Sequence, residues 1–587
     1  MPSSIVVLVL ALALTSSVAR AASVPVQAGP VARDGNNDIT YQGLERNGIE
    51  LFLNIPYGQD TGGVNRFKPP RPHTSTPGTI ISATAYGPAC PQPLGIWLPP
   101  ISMTNITHVS EDCLNLNIAR PRGTAPTDKL PVLVFLHGGS FWFGSNEEIT
   151  FQPDSLVLQS VENGLPVLHV VMNYRLGFFG FAQSETLRRE RSENAGLRDQ
   201  RLALEWVRDN IAHFGGDADK VTIFGQSSGG LSVGLHIMAY GGEKPVPFHR
   251  AIAQSQILEP GITGKFTQDA MTLLVDKVNC ANDKDEAVTL QCLRDAPMER
   301  LLEASIATYS YDIAHNVGDI WLPSVDGDFL PAPPSQLIRE RRFAEVPTMM
   351  GWCSNDVSLF TEPKIRTDAD TFSFLRAYAP HLDTDKLGKL LELYPVDDFG
   401  ENQPAKLSRE FYRASRVFRD IFMTCEPLLF AEAMAAVGNE AVYLYEWNQS
   451  LMDPYLTQVL HRPGLGPVHT AEFPYIFGNF SLYDVGDGTF RPSSSDHKLR
   501  DKASRSWSTF AHKANPGLGG HATFQNFKPA FGSGSNDTII YVMSGGDDDN
   551  GSTPIDGPGA HPAVASQRLR ERCAMINSPD FIRQLRY

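Results

Sequence analysis

Val221-Thr-Ile-Phe-Gly-Gln-Ser227-Ser-Gly229-Gly230 runs from β-branched and aromatic residues, through a glycine-flanked serine, into a stretch of small residues. A buried strand passing at once into a helix, with the serine at the turn, is the sequence form of a nucleophile elbow. A serine hydroxyl is a weak nucleophile unless it is held exposed beside a base, and the sharp turn supplies that exposure by forcing Ser227 into a strained backbone conformation. Gly225 and Gly229 carry no Cβ to crowd it. The pentad alone also fits an ordinary Ser/Gly turn, so the rest of the chain has to decide.

Upstream, Leu133-Val-Phe-Leu-His137-Gly138-Gly139-Ser140-Phe141 reads as a buried strand ending in a small-residue turn. Acyl transfer places negative charge on the carbonyl oxygen, and backbone N–H groups set there in advance stabilise it without reorganisation. With Ser110-Glu-Asp-Cys-Leu-Asn-Leu-Asn-Ile118 added, the chain resembles the type-B carboxylesterase/lipase family, which includes the cholinesterases. The match continues through Asn54-Ile-Pro-Tyr-Gly58, Arg66-Phe67, Asn173-Tyr-Arg175, Asn194-Ala-Gly-Leu-Arg-Asp-Gln200 and Asp326-Gly327, over nearly the whole mature chain. The resemblance implies an α/β-hydrolase fold, a doubly wound and mostly parallel sheet with long insertions forming an active-site gorge. It also implies oxyanion donors at the N–H groups of Gly139, Ser140 and Ser228.

The segment Gly466-Pro-Val-His469-Thr-Ala-Glu472-Phe-Pro-Tyr-Ile-Phe-Gly478 resembles the family's histidine segment and makes His469 the general base. Chain order in this fold is nucleophile, acid, histidine. By order alone His381, His461, His497, His512, His521 and His561 compete with it. Gly351-Trp-Cys-Ser-Asn-Asp356-Val-Ser-Leu-Phe360 puts Asp356 where most members carry glutamate, with Asp326 and Asp328 as rivals in the Asp-Gly turn. The acid accepts the Nδ1 hydrogen bond and fixes the tautomer. Aspartate is one methylene shorter, so its loop must sit closer to His469. Two further departures are Gln226, where glutamate is frequent, and Ser228, where alanine is usual. A neutral amide at 226 lowers the negative potential of the gorge floor.

Residues 1–21 read as a signal peptide: Ile5 to Leu14 is apolar but too short to span a bilayer, and Ala19-Arg-Ala21 offers a small-residue cleavage site. A secretory route favours disulfides, and seven cysteines leave one over. The family resemblance pairs Cys90 with Cys113, Cys280 with Cys292 and Cys425 with Cys573, leaving Cys353 as a buried inert thiol. Sequons at Asn105, Asn448, Asn479, Asn536 and Asn550 fit a secreted glycoprotein. A net charge of −15, with the acidic residues scattered, argues against a nucleic-acid partner. No Cys or His pair has metal-ligand spacing, the acidic Gly545 to Gly551 stretch does not fit an EF-hand loop, and no cofactor is expected.

No linker or charge block divides the chain, so 22–587 reads as a single domain. Strand-like runs at Val132 to Leu136, Val167 to Met172 and Val221 to Phe224 alternate with helical patterns such as Arg198 to Phe214, while Gly532 to Pro562 has loop composition. The expectation is a secreted carboxylic-ester hydrolase acting on a small-molecule ester, without membrane insertion. Two alternatives stay open: an ester- or lactone-processing enzyme dedicated to a secondary metabolite, and a catalytically inactive recognition protein of the same fold. The cholinesterase cage for a cation is missing: Met103 falls near the tryptophan's place, the loop's only tryptophan is Trp97, and Leu359 stands three residues after Asp356. The apolar residues between Cys90 and Cys113 either line the entrance or pack against the domain.

Overall fold

Along Leu130–Leu136, Val132, Val134 and Leu136 join one buried cluster while Leu133 and Phe135 join another. A strand apolar on both faces belongs in the middle of a parallel sheet covered by helices on each side. The computed structural model describes residues 29–96, 98–282, 284–316, 320–532, 537–545 and 550–587, with backbone alone for 310–316. The expected signal peptide, Trp97 and Asn536 lie outside them.

In chain order the described strands are β1 (Val31–Asp34), β2 (Ile39–Gln42), β3 (Leu44–Arg46), β4 (Ile49–Pro56), β5 (Ile80–Ser82), β6 (Asn115–Pro121), β7 (Leu130–Leu136), β8 (Leu168–Met172), β9 (Gly216–Gln226), β10 (Arg250–Gln254), β11 (Thr348–Cys353), β12 (Val442–Trp447), β13 (Ile539–Met543) and β14 (Gly551–Pro554). Strands β1, β2 and β5 form a small sheet. The other eleven form one sheet in the order β14-β13-β12-β11-β10-β9-β7-β8-β6-β4-β3. Its centre, from β8 through β7 and β9 to β13, is parallel. The outer pairings of β14, β6, β4 and β3 are antiparallel.

This is the expected α/β-hydrolase sheet, with one correction near its edge. The Gly532 to Pro562 stretch is not all loop, because Ile539-Ile-Tyr-Val-Met543 pairs with β12 and then with β14. Five apolar residues in a row carry a strand even between polar, glycine-rich flanks, and the flanks hid them. The helical pattern from Arg198 to Phe214 proves to be an α-helix, Ala195–Asn210, closed by a 3-10 turn, Ile211–Phe214.

The parallel register places the site. Gly225 of β9 lies opposite Leu136 of β7, Gln226 opposite Gln254 of β10, and Gln254 opposite Gly351 of β11. The turns after β7, β9 and β11 therefore emerge side by side at the carboxyl edge, where open α/β sheets build their sites.

Candidate active site

Ser227 sits between β9 and the helix Ser228–Ile237 at φ 59°, ψ −132°, a conformation that a non-glycine residue occupies only under strain. Its N–H is held by the Gln254 carbonyl at 2.9 Å and its own carbonyl accepts from Leu231 N–H at 2.9 Å. The turn closes because its neighbours lack side chains: a Cβ on Gly229 would stand 2.0 Å from the Leu136 carbonyl oxygen, and one on Gly225 2.4 Å from that of Gly229. Ser227 keeps partial exposure while Gln226 and Ser228 on either side are buried.

The turn after β7 runs alongside. Gly139, Ser140 and Phe141 all have positive φ, at 107°, 56° and 52°. Among the described residues the N–H groups of Gly139, Ser140 and Ser228 donate to no protein acceptor, whereas Phe141 N–H donates to the Ser228 hydroxyl at 3.2 Å. The Ser228 side chain thus ties the two turns together, a contact that the usual alanine could not make. Beyond the turn, Trp142 stacks on Tyr309 of the helix Met298–Asn316, with ring centroids 4.5 Å apart.

Asp356 follows β11 by three residues, and His469 arrives from the long excursion between β12 and β13. Their loops are stitched by backbone bonds from His469 N–H to the Asp356 carbonyl (3.0 Å) and from Asn355 N–H to the Pro467 carbonyl (3.1 Å). The Ser358 hydroxyl adds a bond to the Leu465 carbonyl at 2.9 Å. This close pairing accommodates the shorter aspartate. Asp356 Oδ1 accepts from His469 Nδ1 at 2.5 Å, and both residues are buried. Its Oδ2 accepts from Cys353 N–H at 2.8 Å.

Behind them lies a second carboxyl group. Glu472 is buried, accepts from the Gln254 amide at 3.1 Å and from the Cys353 thiol at 3.2 Å, and its carboxyl is pushed above the usual range by burial and by Asp356. Burial and the same two carboxylates push the Cys353 thiol well up, which makes it an unreactive neutral group.

Two contacts on His469 were not evident in the sequence. Nε2, the nitrogen opposite Asp356, lies 3.0 Å from the side-chain amide nitrogen of Gln226. The Ser227 hydroxyl makes no protein hydrogen bond among the described residues. Phe360, four residues after Asp356, stands edge-on to the imidazole at 5.5 Å, and at 37% it is exposed. The aromatic side chain near the acid therefore sits one position later than the place compared in the sequence; Leu359 itself is buried.

The remaining candidates fall elsewhere. His512 bonds the Pro166 carbonyl, His561 caps the helix Pro562–Ala565, and His381 and His497 lie against Phe266 and Phe480. Asp326 and Asp328 both pair with Arg198. The disulfides are Cys90–Cys113, Cys280–Cys292 and Cys425–Cys573, with Cys353 free. Asn105 is exposed and Asn448, Asn479 and Asn550 are half-buried, the Asn550 amide being bonded to the Ser544 backbone. In the first disulfide loop Ile106 is buried, Ile96, Ile101 and Met103 pack on the core, and Leu94 and Leu98 are exposed, so most of its apolar set packs against the domain. No cluster of metal-ligating side chains occurs among the described residues.

A strained serine at the turn from a parallel strand into a helix, a nest of free N–H groups and a carboxylate-bound histidine define an α/β-hydrolase of the serine type. The comparisons agree. The carboxylesterase family model matches residues 22–539. A secreted lipase of Arthroderma benhamiae is 51% identical over 577 residues, 98% of each chain. An inactive carboxylesterase-like protein of Byssochlamys spectabilis is 37% identical over 83% of this chain and 84% of its own. The crystal structure of Aspergillus niger EstA superposes with a TM-score of 0.77 at 25% identity, covering 95% of this chain and 99% of that one. The chain belongs to the carboxylesterase family, and it is a carboxylic ester hydrolase.

Proposed function

We propose that this is a secreted esterase for neutral esters, working through an acyl-enzyme with Ser227 as nucleophile, His469 as general base and Asp356 as the acid that orients it. The observation carrying this reading is the 2.5 Å bond from His469 Nδ1 to Asp356 on an imidazole whose Nε2 reaches the residue next to the strained serine. Asp356 holds the proton on Nδ1, which leaves the Nε2 lone pair as base. As the Ser227 oxygen bonds to the ester carbonyl carbon, its proton passes to Nε2. The oxyanion is held by the N–H groups of Gly139, Ser140 and Ser228, which have no other protein acceptor among the described residues. The imidazolium then gives its proton to the leaving alcohol, and water repeats the sequence on the acyl-enzyme.

Relatives named as lipases support a neutral, apolar ester as substrate, as does Phe360, the sole aromatic among the large exposed hydrophobic residues described, at the histidine. One aromatic ring is not a cage, so choline esters gain little. Comparing kcat/KM for a choline ester and its uncharged dimethylbutyl analogue should give values within about tenfold; a strong preference for the cation contradicts this substrate class. Export is supported by the three disulfides and the secreted relative, with 1–21 as the removed signal and 22–587 as one domain.

One relative, 37% identical, is named inactive, so the decisive point is whether turnover by this chain depends on Ser227. Ser227→Ala tests that dependence. An active enzyme loses about 10⁴-fold or more in ester hydrolysis, as triad knock-outs do. Turnover near the wild-type level in the variant would contradict Ser227 as the nucleophile.

A further inference from the structure

The proton on Nδ1 of His469 is fixed by Asp356, so the Nε2 lone pair is an acceptor, and the group 3.0 Å from it is the amide nitrogen of Gln226, a donor. This bond occupies the position that the Ser227 hydroxyl must take for proton transfer. Gln226 is 2% exposed and hangs from the last residue of β9, whose backbone is pinned between β7 and β10. The amide therefore reaches the ring from a rigid base.

Resting on the reading of His469 as general base, we propose that Gln226 is a positioning residue: its amide donates to Nε2 of the resting imidazole, holds the ring at the serine, and yields that nitrogen to Ser227 when substrate binds. The chemical setting explains why an amide suits this place. The titratable group touching the ring is Asp356, Glu472 acts on it from behind, and Cys353 and Tyr445 lie against those two carboxylates. Every one of them is neutral or negative, and the neutral imidazole is the form that acts as base. A hydrogen bond donated to the neutral ring favours the neutral form. Gln226 thus offsets the carboxylates from the opposite nitrogen, and a third carboxylate there would add to them instead.

The test is the pH dependence of kcat/KM on a non-titrating ester for the secreted full chain and for Gln226→Met and Gln226→Glu, with active sites counted by a fluorophosphonate. Methionine keeps length and removes the donor; glutamate replaces it with a charge. The acid limb should move to higher pH in the order wild type, Met, Glu, by about half a unit and then by about one unit or more. Counting active sites removes any contribution from misfolded protein, and a purely structural residue would lower the plateau without moving the limb. Coincident limbs in all three proteins would overturn the proposal while leaving His469 as the base. A wild-type profile with no ionisation in the histidine range would overturn the reading of His469 and this proposal with it.

Discussion

The two halves of the site are built from different materials. Around Ser227 and the turn after β7, position is set by backbone against backbone: Gly225, Gly229 and Gly138 each leave room that a Cβ would fill at 2.0 to 2.5 Å from a carbonyl oxygen. Around His469, backbone bonds stitch the two loops, but the ring itself is set by side-chain hydrogen bonds among Asp356, Gln226, Glu472, Gln254 and Cys353, drawn from separate elements. A backbone-built half fails all at once when it is disturbed. A half built from hydrogen bonds keeps its shape while it loses function.

Gly229→Ala probes the first half and carries the largest expected effect. The new methyl group would meet the Leu136 carbonyl at 2.0 Å, where neither backbone can yield, so folded enzyme should not accumulate. Secreted yield and thermal unfolding check this; a variant as abundant and as stable as wild type would erase the contrast.

Asp356→Asn probes the second half. It should lower kcat by about 10³ to 10⁴-fold through the wrong imidazole tautomer, while the unfolding temperature stays close to that of wild type. If instead the protein fails to fold, the acid belongs to the scaffold and the two halves are alike.

The smallest effect is expected at His169, which lies on β8 away from the site. It is buried against Phe135, Phe224 and Phe477, neither ring nitrogen has a protein partner among the described residues, and burial lowers its pKa to about 3. A depressed pKa means that the folded state holds the neutral ring, so this contribution to stability is complete above the unfolded value of about 6.5 and is lost as pH falls towards about 3. His169→Leu removes that liability. It should stabilise the protein at pH 4 by on the order of 1–3 kcal/mol more than at pH 8, read from urea midpoints. An equal gain at both pH values would assign the effect to packing instead.

The same contrast explains what could be read from the sequence. The elbow, the turn after β7 and the strands feeding them are local, and Gly-x-Ser-x-Gly or His-Gly-Gly-Ser displays the steric requirement in consecutive residues. Placing Asp356 and His469 needed the family resemblance, since loops 113 residues apart share no local pattern. The sequence shows Gln226 only as a change in potential, because its contact with a ring 243 residues away has no local signal. Glu472 was legible only as part of the histidine segment; its role as a buried second carboxyl depends on Gln254 and Cys353 arriving from neighbouring strands. Strand β13 is masked in the sequence by flanks rich in glycine and aspartate, and strand formation there is decided by pairing with β12.

The most direct test of the account is mass spectrometry of the protein after reaction with a fluorophosphonate, for wild type and His469→Ala. The account predicts one adduct per chain, on Ser227, forming quickly in wild type and far more slowly without the base. An adduct on another residue, or a folded wild-type protein that takes none, would contradict it.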